Sequence, residues 1–168
     1  MRARFAPLLA IAPLLAQAPA PGTDPLAPLR FLVGTWTGEG TGQPGRSVGV
    51  ATFRFELEGR ALVRRSFADA PAAEGRPASR HEDLMTVFVG GGRLRALYLD
   101  NEGHVIHYLV APGPDGVTFT SEAAPGPRFR LSYRRKGDGQ VALRFETAAP
   151  AAPEVFRTYL EADLRRAD

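Results

Sequence analysis

The sequence predicts an all-β protein, an up-and-down barrel of about nine or ten antiparallel strands entered through a short N-terminal helical turn. Three observations predict it. Apolar and polar residues alternate in short segments along most of the chain, Gly- and Pro-containing turns recur between those segments, and a 3.6-residue period shows only weakly at the C-terminus. Sequential hairpins favour an up-and-down order, and closing the sheet removes exposed edges. A barrel of this strand number is expected to enclose a cavity.

At 168 residues the chain suits one domain. It opens MRARFAPLLAIAPLLAQAPAPGTDP, with two arginines, an apolar run over residues 5–16 and then small residues, the layout of a secretory signal peptide. Pro7 and Pro13 interrupt the run, which is too short to span a bilayer. Cleavage is expected after Ala16, with residues 17–28 an Ala/Pro-rich linker and 29–168 the barrel domain. Losing Arg2 and Arg4 drops the basic count from 21 to 19 against 18 acids, a net charge near +1. The mature protein is expected to be periplasmic or secreted, off the membrane, and a monomer or weak homo-oligomer. No basic block or aromatic-interleaved basic stripe appears, which argues against nucleic acid as a partner. There is no cysteine, so the core must stabilise the fold without disulfides.

The domain begins LAPLRFLVGTWTGEGTGQPG over 26–45, where Leu26, Leu29 and Leu32 suit a helical turn before a strand at GTW. GEGTGQPG lacks the lysine of a phosphate loop and reads as a loop at the barrel mouth. In SVGVATFRFEL (47–57), Ala51, Phe53, Phe55 and Leu57 share a face. A turn at Glu58-Gly59 leads to RALVRRSFA (60–68), and the segment 69–80 has no apolar period and reads as a loop. HEDLMTVFV (81–89) and RLRALYL (93–99) follow, separated by three glycines. The pattern repeats at 104–110, 117–122, 128–136 and 140–147. A last strand is expected over 154–166, with Phe156, Leu160, Ala162 and Leu164 on one face.

The segment DNEGHVIHY (100–108) holds two of three histidines. Asn101-Glu102-Gly103 suits a three-residue hairpin loop, which pairs Asp100 with His104, Tyr98 with Ile106, Ala96 with Tyr108 and Leu97 with His107. His104 and His107 then point to opposite sides and cannot hold one ion without a bulge. His81, Glu82 and Asp83 can join only from a neighbouring strand, so no metal site is expected. His107, between Val105 and Leu109, reads as an interior hydrogen-bonded residue or a polar group lining a cavity. His104, beside the turn, suits pairing with Asp100 or Glu102.

No nucleophile elbow is present, and no serine has a histidine that the sequence can place beside it, so no catalytic residue is nominated. Phe53, Phe55, Tyr98, His107, Tyr108 and Phe129 are candidate lining residues for a small apolar or amphipathic ligand.

The Gly-x-Trp of GTW at the head of an all-β domain resembles the calycin barrels, which include lipocalins and fatty-acid-binding proteins. The resemblance implies that Trp36 plugs the closed end under a late-strand arginine, Arg144 or Arg157. FLVGTWTGEG, GRALVRR, HEDLM, DNEGHVIHY, FRLSY and TYLEADLRR, in that order, resemble exported bacterial proteins of unknown function with a presumed calycin-like fold. The opening is also similar to that of nitrobindin-type barrels, which implies ferric haem and peroxynitrite isomerisation. Their proximal histidine lies in a C-terminal His-Leu-x-x-x-Leu-x-Arg strand, and here Tyr159 stands at that position in YLEADLR. Phenolate can ligate haem iron but changes its redox poise. Three readings stay open: a barrel binding a small ligand among residues that include Trp36 and Tyr159, a haem-binding barrel, and a filled barrel acting through its outer surface.

Overall fold

The computed structural model describes residues 24–43 and 45–167. A 3-10 helix, Ala27–Leu32, precedes ten strands: β1 (Gly34–Gly42), β2 (Ser47–Glu56), β3 (Ala61–Ala70), β4 (Ser79–Gly90) and β5 (Arg93–Asp100), then β6 (Val105–Gly113), β7 (Gly116–Ser121), β8 (Arg128–Gly137), β9 (Gln140–Ala148) and β10 (Arg157–Arg166). Each strand pairs antiparallel with its neighbours in sequence, and β1 pairs with β10, so the sheet is a closed up-and-down barrel. The region read as signal peptide lies outside the described residues. Leu26 is buried with Leu29 and Leu32, so packing begins inside the segment read as linker.

Glycine makes the closure possible. Gly38, Gly40 and Gly42 of β1 face Leu164, Ala162 and Leu160 of β10. A Cβ on Gly38 would lie 2.5 Å from the Asp163 carbonyl oxygen and 2.7 Å from Leu164 Cδ2. The stretch expected to form a mouth loop therefore continues β1 as far as Gly42, because only glycine lets the two backbones approach so closely. The long loop shrinks as well: β3 and β4 extend their pairing to Ala70 and Ser79, leaving 71–78 outside the sheet. At the other margin β10 begins at Arg157 rather than 154. Phe156 lies outside the strand, with the Arg130 guanidinium 4.3 Å above its ring, and a register shift between Thr158 and Leu160 resets the alternation.

The two ends of the barrel differ. At one, Leu26, which caps the 3-10 helix, and the helix residues Leu29 and Leu32 pack beside Trp36, whose indole Nε1 donates to the Leu32 carbonyl at 2.7 Å. The Arg166 guanidinium covers Trp36 at 4.6 Å, and Arg135 covers Phe31 at 4.4 Å. The cover expected from Arg144 or Arg157 comes instead from the last residue of β10, because Trp36 pairs with Arg166 across the closure. Arg144 pairs with Glu161 on the outer surface, and Arg157 is exposed. At the opposite end lie the connections 71–78, 101–104, 122–127 and 149–156.

Between the ends the interior is packed. Tyr108, Tyr133, Phe53, Phe119, Met85 and Leu62 are each less than 2 % exposed. Their rings meet edge to face: Phe53 to Tyr133 at 5.5 Å, Tyr133 to Phe119 at 6.2 Å and Phe119 to Tyr108 at 6.3 Å. The cavity expected from strand number is thus taken across the middle by large side chains.

Two stability measurements test this packing. Leu29→Ala is expected to lower the unfolding free energy in urea by about 2–5 kcal/mol, the usual cost of emptying a packed leucine site. Gly38→Ala is expected to cost about 1–3 kcal/mol through overpacking against β10; a neutral result would refute the tight closure.

Candidate functional site

Register brings the polar interior together. Ser66 of β3 pairs with Asp83 of β4, and Asp83 pairs with Asp100 of β5. Strand alternation then turns Arg64, His81, Asp83, Tyr98 and Asp100 toward the lumen on the side of the unplugged end. Arg64 and Asp83 carry side chains only 5 % and 6 % exposed. Nε and Nη2 of Arg64 both donate to one oxygen, Asp83 Oδ1, at 3.0 and 2.6 Å. Nη1 donates to the Tyr133 hydroxyl, and the guanidinium lies 5.7 Å over the Tyr98 ring. Burial works against the charge on Arg64, but the carboxylate of Asp83 and the oxygens of Tyr133 and Tyr98 together outweigh it and hold the guanidinium above its ordinary range. Tyr98, Tyr108 and Tyr133 are pushed above the usual phenol range, chiefly by burial, so they remain neutral hydroxyls.

The hairpin after β5 completes the cluster. Its register matches the sequence reading, with Tyr98 opposite Ile106 and Leu97 opposite His107, and Gly103 takes a positive φ of 91° in the turn. Tyr98 donates to Asp100 Oδ2 at 3.2 Å and lies 3.0 Å from His81 Nε2. Asp100 Oδ1 accepts from the backbone amides of Glu102 and His104 at 3.0 and 2.9 Å, and Oδ2 lies 2.8 Å from His104 Nδ1. Burial would raise the Asp100 carboxyl, but the bonds from His104, helped by the Glu102 amide, hold it below its ordinary value.

The residues nominated from sequence scatter over the barrel. Trp36 and Phe55 sit at the plugged end, where Arg30 covers Phe55 at 5.1 Å. Phe53 and Tyr108 belong to the packed middle, and Tyr98 joins the polar cluster. Phe129 stacks on Phe145 at 5.9 Å, and Tyr159 meets Phe145 edge-on at 6.0 Å, a half-buried aromatic group near the unplugged end. His107 is exposed on the outer face, so the interior place expected for it does not hold: Ile106 and Tyr108 take the inward parity of β6. Arg64, Asp83, His81 and Asp100 were not nominated for the lumen. Arg64 stands beside Arg65, one in and one out, and nothing local distinguishes them. A groove of about 810 Å³ also runs along the outer face past Arg130, Arg134, Lys136 and Arg144. Glu146, Asp163 and Glu161 pair with Arg130, Lys136 and Arg144 there.

Fold and interior define the class: a closed ten-stranded antiparallel β-barrel with one plugged end. The crystal structure of Rv2717c from M. tuberculosis superposes on it with a TM-score of 0.61 at 16% identity, covering 89% of this chain and 99% of that one. A de novo designed fluorescence-activating β-barrel matches with a TM-score of 0.44 at 11% identity, covering 82% of this chain and 95% of its own. No protein-family model matches the chain, and no curated protein sequence matches it significantly. At 16% identity the Rv2717c likeness speaks for the fold alone.

Two outcomes follow from the cluster's electrostatics. Asp83→Asn is expected to destabilise the barrel by about 3–5 kcal/mol in urea, because it leaves the Arg64 charge buried without a counter-charge, whereas Arg64→Met with Asp83→Leu recovers most of that loss. The lowered carboxyl of Asp100 contributes stability that is complete above the unfolded value of about 3.9 and is lost as pH falls through the lower folded value. Asp100→Asn should therefore flatten the loss of stability below about pH 4 in an acid titration followed by circular dichroism.

Proposed function

We propose that the chain is a calycin-like binding module that takes a small amphipathic molecule through the unplugged end of the barrel. One observation carries the reading: the interior is sealed and apolar at one end, while the other places the half-buried rings of Phe129, Phe145 and Tyr159 in the same barrel mouth as a buried polar cluster. Ligand sites generally combine an apolar lining with a few orienting polar groups. The packed middle sets the depth, so a short ligand is favoured over a long acyl chain. Export through residues 1–16 would place this module outside the cytoplasm. Haem suits these residues less well. Tyr159 stands at the position implied for the proximal histidine, and its ring packs edge-on against Phe145, itself stacked on Phe129.

The reading is tested by fluorescence titration with an anilinonaphthalene sulfonate probe, an amphipathic anion that brightens in apolar surroundings. Saturable binding of one probe per chain is expected. Phe129→Ala and Phe145→Ala should each weaken it about tenfold, some 1.4 kcal/mol, in line with the loss of an aromatic contact. Leu109→Ala, on the outer face, should leave it unchanged. Binding insensitive to both phenylalanine substitutions would remove the mouth as the site.

A further inference from the structure

The two histidines that share a side are His81 and His104, not the pair three residues apart. The hairpin turn is clamped to β4: Asn101 N donates to the Glu82 carbonyl at 3.0 Å, Asn101 Oδ1 accepts from Glu82 N at 3.0 Å, and Asn101 Nδ2 donates to the Arg80 carbonyl at 2.9 Å. The clamp carries Glu102 back over β4, where its Oε1 lies 3.1 Å from His81 Nδ1. Ligand atoms of His81, Asp100 and Glu102 all lie within 4.8 Å of one another. A zinc ion bound at about 2.0–2.2 Å has tetrahedral ligand edges of about 3.3–3.6 Å, so atoms within 4.8 Å of one another need to draw in by at most about 1.5 Å to share one ion.

Charge and an unused oxygen point the same way. Three carboxylates, Asp83, Asp100 and Glu102, share this cluster with one guanidinium, Arg64. Two of those carboxylates are nearly buried, Asp83 at 6 % and Asp100 at 3 % exposure. Arg64 takes only Oδ1 of Asp83. Among the described residues the other oxygen, Oδ2, receives no hydrogen bond, and it faces His81 Nε2 at 3.8 Å. An imidazole with carboxylates is a donor set suited to zinc and its first-row neighbours.

We infer that His81, Asp100 and Glu102 form a binding site for a zinc-type divalent ion at the barrel mouth, open at its fourth position. His104 positions Asp100 through its bond to Oδ2, Tyr98 orients the His81 ring, and an ion on Oδ2 takes the place of the bond from Tyr98. This site does not depend on the amphipathic ligand, since it uses none of the rings of Phe129, Phe145 or Tyr159.

The test is calorimetric titration of the untagged, chelator-stripped chain with zinc chloride, with cobalt(II) absorption reporting coordination geometry. One ion per chain is expected, with a tetrahedral cobalt spectrum and a thermal midpoint raised by zinc. His81→Gln and Glu102→Gln should each weaken binding at least tenfold and abolish the zinc-dependent rise. His104→Asn should weaken it about tenfold, the usual scale for a group that orients a ligand. Glu102 is an exposed turn residue, so its variant tests the site even if His81→Gln disturbs the fold. His107→Gln should change nothing. Absence of stoichiometric binding, wild-type affinity in Glu102→Gln, or loss of binding in His107→Gln would each overturn the inference.

Discussion

Closure of the sheet between β1 and β10 is the constraint on which the rest of the molecule depends. Closure removes both edges of a ten-stranded sheet that no disulfide can reinforce, and it defines an inside. The glycines of β1 let β10 lie close enough to pair, and Leu164 takes the interior space that a side chain on Gly38 would have needed. The same pairing sets Arg166 beside Trp36 and so completes the plug. One contact thus accounts for the sealed end, the orientation of every strand face and the position of the first buried aromatic.

With an inside defined, its contents grade from apolar to ionic along the barrel. The 3-10 helix and Trp36 seal one end, and interlocking rings fill the middle. Arg64 begins the polar belt. A guanidinium this deep is tolerable only because Asp83 neutralises it and Tyr133 and Tyr98 surround it. Such a pair adds little net stability compared with apolar side chains of the same volume, so its place in the fold is better understood through the polar cluster it supports. The ion pairs on the outer face, such as Lys136 with Asp163 and Arg144 with Glu161, are well exposed and contribute little individually.

The hairpin from Asp100 to His104 links architecture to chemistry. Its tight turn needs Gly103 in a left-handed conformation, and its first residue spends both carboxylate oxygens on the turn, on His104 and on Tyr98. Because Asn101 ties the turn to β4, side chains distant in sequence converge on one point above the ring-packed middle. A rigid turn is a better platform for a ligand than a free loop, since little ordering remains to be done when the ligand binds.

The alternation of side chains was legible in the sequence almost throughout, and with it the strand count, most strand boundaries and the residue-by-residue register of the 100–108 hairpin. Turn chemistry and a period of two are local properties, so a local reading recovers them. The same alternation divides a strand into two faces without saying which is inward, and so it could not place His107 outside or single out Arg64 from Arg65. Neither the start of β10 beyond Phe156, with its register shift between Thr158 and Leu160, nor the use of GEGTG as strand had a local signature, since both answer to partner strands that local sequence does not reveal. The polar cluster depends on pairings among β3, β4 and β5 together with a turn folded back on β4. Tertiary structure alone decided it, because a buried charge is tolerated only where the closed sheet delivers its partner.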